Sequence, residues 1–103
     1  MRYITVVRAR IKAATPQAAQ AAHDATVAHL RALTGAQGAV GHQPYLNPQD
    51  PTQFQAVDTW ASLEGIQQFM NNPAVAEAFG QLFDGRPEVT VWAEAEGWAA
   101  FMA

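Results

Sequence analysis

The sequence predicts an α+β fold, a single antiparallel sheet with its helices on one face. Three observations carry that prediction. Four short runs are rich in β-branched and aromatic residues. Two intervening stretches open with a capping side chain or a cap followed by proline, the signature of a helix start. The order is strand, helix, strand, strand, broken helix, strand, which is the β-α-β-β-α-β arrangement of ferredoxin-like folds.

Each element follows from its residues. Tyr3 to Ile11 (YITVVRARI) reads as the first strand. Thr15-Pro16 starts a helix that runs through alanine-rich sequence to Leu33 or Thr34, where Gly35 supplies a left-handed stop. On a helical wheel Ala18, Ala22, Ala25, Thr26, His29 and Leu33 form the arc expected to face the sheet. That places His29 inward as a buried, satisfied histidine and His23 at the edge of the arc as a surface group. The passage GAQGAVG leads into a second strand from Val40 to Leu46, and NPQDP makes a turn fixed by Pro48 and Pro51. Phe54 to Trp60 is the third strand. Ser62 caps a short helix carrying Leu63, Ile66, Phe69 and Met70. Asn72-Pro73 breaks and restarts it, and Asp84-Gly85 ends the second piece. Glu88 to Ala95 (EVTVWAEA) is the fourth strand.

Composition narrows the function classes. The 103 residues are expected to form one domain, 1–103. Twenty-two residues are alanine, so five Phe, three Trp, two Tyr and three Met must supply most of the packing volume. The net charge of −3 and the lone alternation Arg8, Arg10, Lys12 argue against a nucleic-acid footprint. Without cysteine there is no disulfide, thiolate metal site or thiol nucleophile. No apolar run reaches the length of a membrane span and the N-terminus lacks a signal-peptide pattern, so cytoplasm is the default. The strands carry apolar groups on both parities, and the tail 96–103 contributes seven consecutive uncharged residues, GWAAFMA. A helix-free sheet face and an apolar tail together predict a homodimer, with the tail packed on the partner.

The run GAQGAVGHQPYLNPQDPTQFQAVDTWASLEGIQQFMNNPAVAEAFGQLF resembles the antibiotic biosynthesis monooxygenase family of dimeric α/β barrels. The shared features are a Gly-x-x-Gly entering strand two, a Pro/Asp loop and the acidic-x-Trp strand end at Asp58 and Trp60. A short helix, a proline break and a second helix follow, and the similarity is strongest from Gly38 to Phe83. The resemblance implies a cofactor-independent monooxygenase that binds a flat aromatic or polyketide-like molecule in a dry cavity. The family also holds haem-degrading and uncharacterised members. Where relatives often carry histidine, this chain has Phe69, Ala74 and Phe79, which removes the imidazole that would ligate haem iron. No cofactor is therefore expected, and no spacing among the three histidines and nine carboxylates suggests a metal site. The alternative is a non-catalytic small-molecule-binding or stress-response dimer of the same fold.

Candidate site residues follow from strand parity. Asp58 and Trp60 share a face with Phe54 and Ala56. A carboxylate among apolar neighbours either takes up a proton, anchors a substrate hydroxyl as a base, or pairs with Arg8 or Arg10. His42 lies mid-strand and can act as a base or donor. Asp58 and His42 are thus the catalytic candidates. Tyr45, Trp60, Phe69, Phe79 and Trp92 are the candidate pocket lining, with Tyr45 near the closing loop and Trp92 on the more polar parity of its strand.

Overall fold

A computed structural model describes residues 1–35 and 38–102. Ala36 and Gln37, at the centre of the glycine-rich passage, and Ala103, at the end of the tail, lie outside the described residues. The elements run β1 (Tyr3–Ile11), α1 (Pro16–Thr34), β2 (Gly41–Asn47), β3 (Asp50–Trp60), α2 (Leu63–Met70), α3 (Pro73–Leu82) and β4 (Phe83–Ala93). The strands form one antiparallel sheet in the order β2-β3-β1-β4, the ferredoxin-like topology. Among the described residues no helix is long and apolar enough to cross a membrane.

The helix starts use their predicted caps. Thr15 Oγ1 accepts from the Ala18 amide at 3.1 Å, Ser62 Oγ from Gly65 at 3.1 Å, and Asn72 Oδ1 from Ala74 at 3.0 Å. Pro73 has no N–H to extend α2, so the chain turns at Asn71-Asn72 and α3 begins afresh. The break lets α2 present Ile66 and α3 present Val75, Ala78 and Leu82 to the interior, all buried.

Strand parity sets the two faces. Thr5, Val7 and Ile11 of β1 and Phe54, Ala56 and Trp60 of β3 are buried. The register Thr5↔Asp58 and Val7↔Ala56 puts Asp58 on this same face. The opposite face carries Ile4, Val6, Arg8 and Arg10 beside Thr59, Val57, Gln55 and Gln53. Arg8 Nε donates to Gln55 Oε1 at 2.8 Å, and Arg10 pairs with Asp50 and Thr52. Neither arginine can reach Asp58, because the alternation of β1 points both away from it.

Three features that position the site differ from the sequence expectation. The turn is only residues 48–49, and β3 starts at Asp50, so Pro51 lies within the strand. Asp84-Gly85 does not end a helix. Phe83 is buried and already in β4, and two residues along β1 (Arg8 to Arg10) match four along β4 (Glu88 to Asp84). Gly85, with φ +83, supplies the backbone freedom that this bulge needs.

The third difference is the rotation of α1. Its half-buried stripe is Ala19, Ala22, His23, Thr26, Val27, Leu30 and Thr34. His23 therefore faces inward while His29 is exposed, the reverse of the expectation. Ala19 and Ala22 rest on the core cluster of Val7, Ile11, Phe54, Ala56, Leu82 and Phe83. The later turns of the helix stand over open space.

Candidate active site

That space is a cavity of about 600 Å³ between the sheet and the C-terminal half of α1. Val7, Ala56 and Trp60 form its floor, and Thr26, Val27 and Leu30 its roof. Aromatic rings pack continuously around it. Trp60 meets Phe69 edge-on at 5.2 Å between centroids, and Phe69 meets Phe79 at 6.0 Å. Phe79 meets Phe83 at 5.4 Å, and Phe83 meets Phe54 at 5.6 Å. Phe54 then touches His23 at 5.5 Å. The Trp60 indole is fixed from below, its Nε1–H donating to Thr5 Oγ1 at 3.0 Å in the buried core.

Three polar residues of the wall, Asp58, His42 and His23, form a linear chain that continues outward to Asp24. Asp58 Oδ1 lies 2.5 Å from His42 Nδ1, and the two face each other across the β2–β3 register. His42 Nε2 lies 2.9 Å from His23 Nε2, and His23 Nδ1 lies 2.9 Å from Asp24 Oδ1. Exposure changes along the chain: the Asp58 and His23 side chains are 14% and 13% exposed, whereas that of Asp24 is 63% exposed. Asp58 Oδ2 has no hydrogen-bond partner among the described residues, yet no buried side-chain oxygen or nitrogen there lacks one. Oδ2 is therefore accessible, on a residue that lines the cavity. Each histidine has a carboxylate on Nδ1, which orients the ring and leaves Nε2 to act.

Of the seven residues anticipated from the sequence, Asp58, His42, Trp60, Phe69 and Phe79 line this cavity. Tyr45 and Trp92 do not. Tyr45 pairs with Gln55 and Trp92 with Ile4, which puts both on the helix-free face, half exposed at 52% and 57%. Tyr45 borders a second cleft with Arg8, Arg10 and Arg86, and Trp92 Nε1 donates to its own strand's Thr90 at 2.9 Å. His23 is the residue that sequence reasoning missed. Its signal was present, because Val27 and Leu30 are the bulky aliphatics of the helix middle and His23 is one and two turns before them on the same stripe.

Gly35 and Gly38, which follow α1, also line the cavity. Gly35 caps the helix with φ +52, and its amide donates to Arg31 O. Gly38 packs so closely that a Cβ there would collide with the Thr34 side chain. Arg31 also lines the cavity.

The family model described as antibiotic biosynthesis monooxygenase matches residues 4–81. No curated protein matches the chain. Among solved structures, the chain is similar to SnoaB, a cofactor-independent oxygenase from Streptomyces nogalater, with 16% identity and a TM-score of 0.67 over 92% of this chain and 94% of that one. It is similar to a candidate antibiotic biosynthesis monooxygenase from Bordetella bronchiseptica, with 19% identity and a TM-score of 0.68 over 91% and 97%. A third, from Deinococcus radiodurans, has 15% identity and a TM-score of 0.64 over 99% and 100%. At these identities the likeness is one of fold.

Proposed function

The chain belongs to the antibiotic biosynthesis monooxygenase family, and from that premise we propose that it is a cofactor-independent monooxygenase acting on a flat, electron-rich phenol or hydroquinone. The observation that carries this reading is the Asp58–His42 pair set into a cavity walled largely by aromatic and aliphatic side chains. The volume of about 600 Å³ suits a molecule of a few fused rings. Trp60, Phe69 and Phe79 stack against its faces, and the accessible Oδ2 of Asp58 receives its hydroxyl.

The chemistry asks little of the protein beyond position, a base and exclusion of water. Asp58 takes the hydroxyl proton, and the O–H electron pair stays on the substrate as a phenolate with carbanion character. That carbon donates its electrons to dioxygen and forms a C–O bond to a peroxide. The acid just formed returns a proton to the peroxide. Loss of the carbon-bound hydrogen as a proton, with O–O cleavage, leaves a quinone and one water. His42 holds the Asp58 carboxylate in place through its Nδ1.

The cavity works within a homodimer in this proposal. The accessible surface of 7284 Å² exceeds the roughly 5,700 Å² of a compact monomer of this mass. Apolar groups are exposed in two places that a partner subunit would cover. Ile4, Val6, Val57 and Trp92 share the uncovered face, and Trp98, Phe101 and Met102 are 79%, 96% and 97% exposed. A sheet-to-sheet pairing with exchanged tails covers both.

Oxygen uptake by the purified protein, given a panel of polycyclic phenols and hydroquinones, tests the reading. Uptake should require folded protein and fall about 10²-fold or more in Asp58→Asn, the usual worth of a positioned acid–base group. A second reading, a non-catalytic binding dimer, is favoured by the helical wall, where Phe69 and Phe79 offer no acid–base group. Quenching of Trp60 fluorescence by the same compounds with no uptake by wild type would select it.

A further inference from the structure

His23 and His42 meet head to head. Their Nε2 atoms are 2.9 Å apart and their ring centroids 5.2 Å apart, with planes only 23° from parallel. That centroid distance is nearly the largest that two imidazoles in nitrogen-to-nitrogen contact can reach, so each Nε2 lone pair points at the other. Two lone pairs so aimed repel unless something positive lies between them.

A count of hydrogens identifies it. The chain Asp24–His23–His42–Asp58 contains three hydrogen bonds and so needs three protons. Two neutral imidazoles bring only two. The third enters either ring as an imidazolium or either aspartate as the acid, and in each distribution one proton lies between the Nε2 atoms. A metal ion is the rival occupant, but imidazole–metal bonds are about 2.0–2.1 Å long, so a linear bridge would hold the nitrogens about 4 Å apart. The observed 2.9 Å is a hydrogen-bond distance.

We propose that His23 and His42 share one proton between their Nε2 atoms, and that Asp58–His42–His23–Asp24 is a relay that releases a proton to solvent as Asp58 takes the substrate's, and takes one back when Asp58 gives its proton up. The relay rests on the oxygenase reading above; the shared proton does not. The charged groups facing the dyad are Asp58 from β3 and Asp24 from α1, and Arg31 lines the same cavity. With both carboxylates ionised, the one extra proton leaves the four-residue chain with a single negative charge. On turnover the substrate O–H breaks and its proton goes to Asp58 Oδ2. The shared proton moves onto His23 Nε2, and His23 Nδ1–H passes to Asp24, whose exposed carboxylate gives it to water. When Asp58 returns its proton to the peroxide, a proton from water re-enters through Asp24 to His23 Nδ1 and restores the start. One proton enters, one leaves, and the count stays at three. His23 thereby serves as a relay and positioning residue on α1 for a base carried by the sheet.

The test is a long-range proton–nitrogen correlation spectrum of the full chain labelled with nitrogen-15 in its histidines, after treatment with a chelator. The expected result is one far-downfield proton correlated with the Nε2 of both rings, with both Nδ1 atoms involved in hydrogen bonds. It should vanish in His23→Phe and persist in His29→Phe, which alters an exposed ring outside the cavity. Two independent rings in chelated wild type would overturn the proposal, as would release of stoichiometric metal on chelation with a change at both Nε2 atoms. The wild-type spectrum decides without any variant having to fold. In an active enzyme His23→Gln, which keeps a donor but cannot pass a proton on, should lower kcat about 10²-fold with KM nearly unchanged; unchanged kcat would overturn the relay. A shared proton in a protein without oxygen uptake keeps the dyad and sinks the oxygenase reading, whereas uptake without a shared proton does the reverse.

Discussion

Thr5→Val removes a hydroxyl from the centre of the sheet and leaves the shape of the side chain nearly intact. Thr5 and Trp60 are each 2% exposed, and the Trp60 indole N–H has Thr5 Oγ1 as its acceptor at 3.0 Å. The variant strands that donor in a place water does not reach, which costs about 1–3 kcal/mol. Burying a methyl where the hydroxyl stood returns somewhat less than about 1 kcal/mol. The net loss is about 0.5–2 kcal/mol, or about 2–15 °C in Tm for a chain of this size. Thermal melts at one fixed protein concentration give the number, since dimerisation would make Tm depend on concentration. Thr5→Ser keeps the acceptor and should lose less. In a Trp60→Phe background Thr5→Val should cost almost nothing, because the donor is gone. Two results would refute the argument that this bond holds the cavity floor. One is a Thr5→Ser variant less stable than Thr5→Val. The other is a Thr5→Val cost as large in the Trp60→Phe background as in the wild-type protein.

Ala56 is 3% exposed on the cavity floor, so Ala56→Leu should fill the space a ligand would take. It should abolish ligand-induced Trp quenching while costing about 1–3 kcal/mol of stability, read from the same protein by fluorescence titration and melting. Asp50 has its carboxyl held below the ordinary value of 3.8, first by the Thr52 hydroxyl, then by the Thr52 amide and by Arg10. A depressed folded value means that its contribution is complete above the unfolded value and is lost as pH falls through the folded one. Asp50→Asn should therefore be slightly less stable than wild type at neutral pH, with the gap closing towards the acid end of the carboxylate range in a series of melts. Removing residues 97–103 should lower the mass measured by sedimentation towards the monomer at low micromolar protein, and an unchanged dimer would show that the tail is not what joins the subunits.

Much of this site was legible in the strands. A period of two leaves little freedom, so once Phe54, Ala56 and Trp60 were assigned to the interior, Asp58 had to join them. The caps at Thr15, Ser62 and Asn72 were equally plain, because side-chain oxygen followed by proline or an apolar turn has few other uses. The rotation of α1 was not legible from its alanines. A methyl group is nearly indifferent to which side it lies on, so an arc chosen by counting alanines drifted and brought His29 inward. Val27 and Leu30 carried the directional information, and the stripe they define contains His23. Tyr45 and Trp92 illustrate a different limit. Parity says which residues share a face, but which face borders the cavity depends on where the helices lie, and that is a property of the assembled sheet.

Every described residue of α1 keeps some solvent exposure, although the helix is 19 residues long and roofs the cavity. A helix of this kind draws much of its persistence from its own composition, since alanine loses no side-chain freedom on becoming helical. Its amide hydrogens should accordingly exchange with solvent through openings that leave the β1–β3 ladder closed, a sub-global event well below the cost of unfolding the whole chain. Roof and floor are then separately inheritable. Substitutions at the half-exposed Thr26, Val27 and Leu30 should therefore disturb the fold less than substitutions in the buried sheet beneath, where Trp60 is anchored.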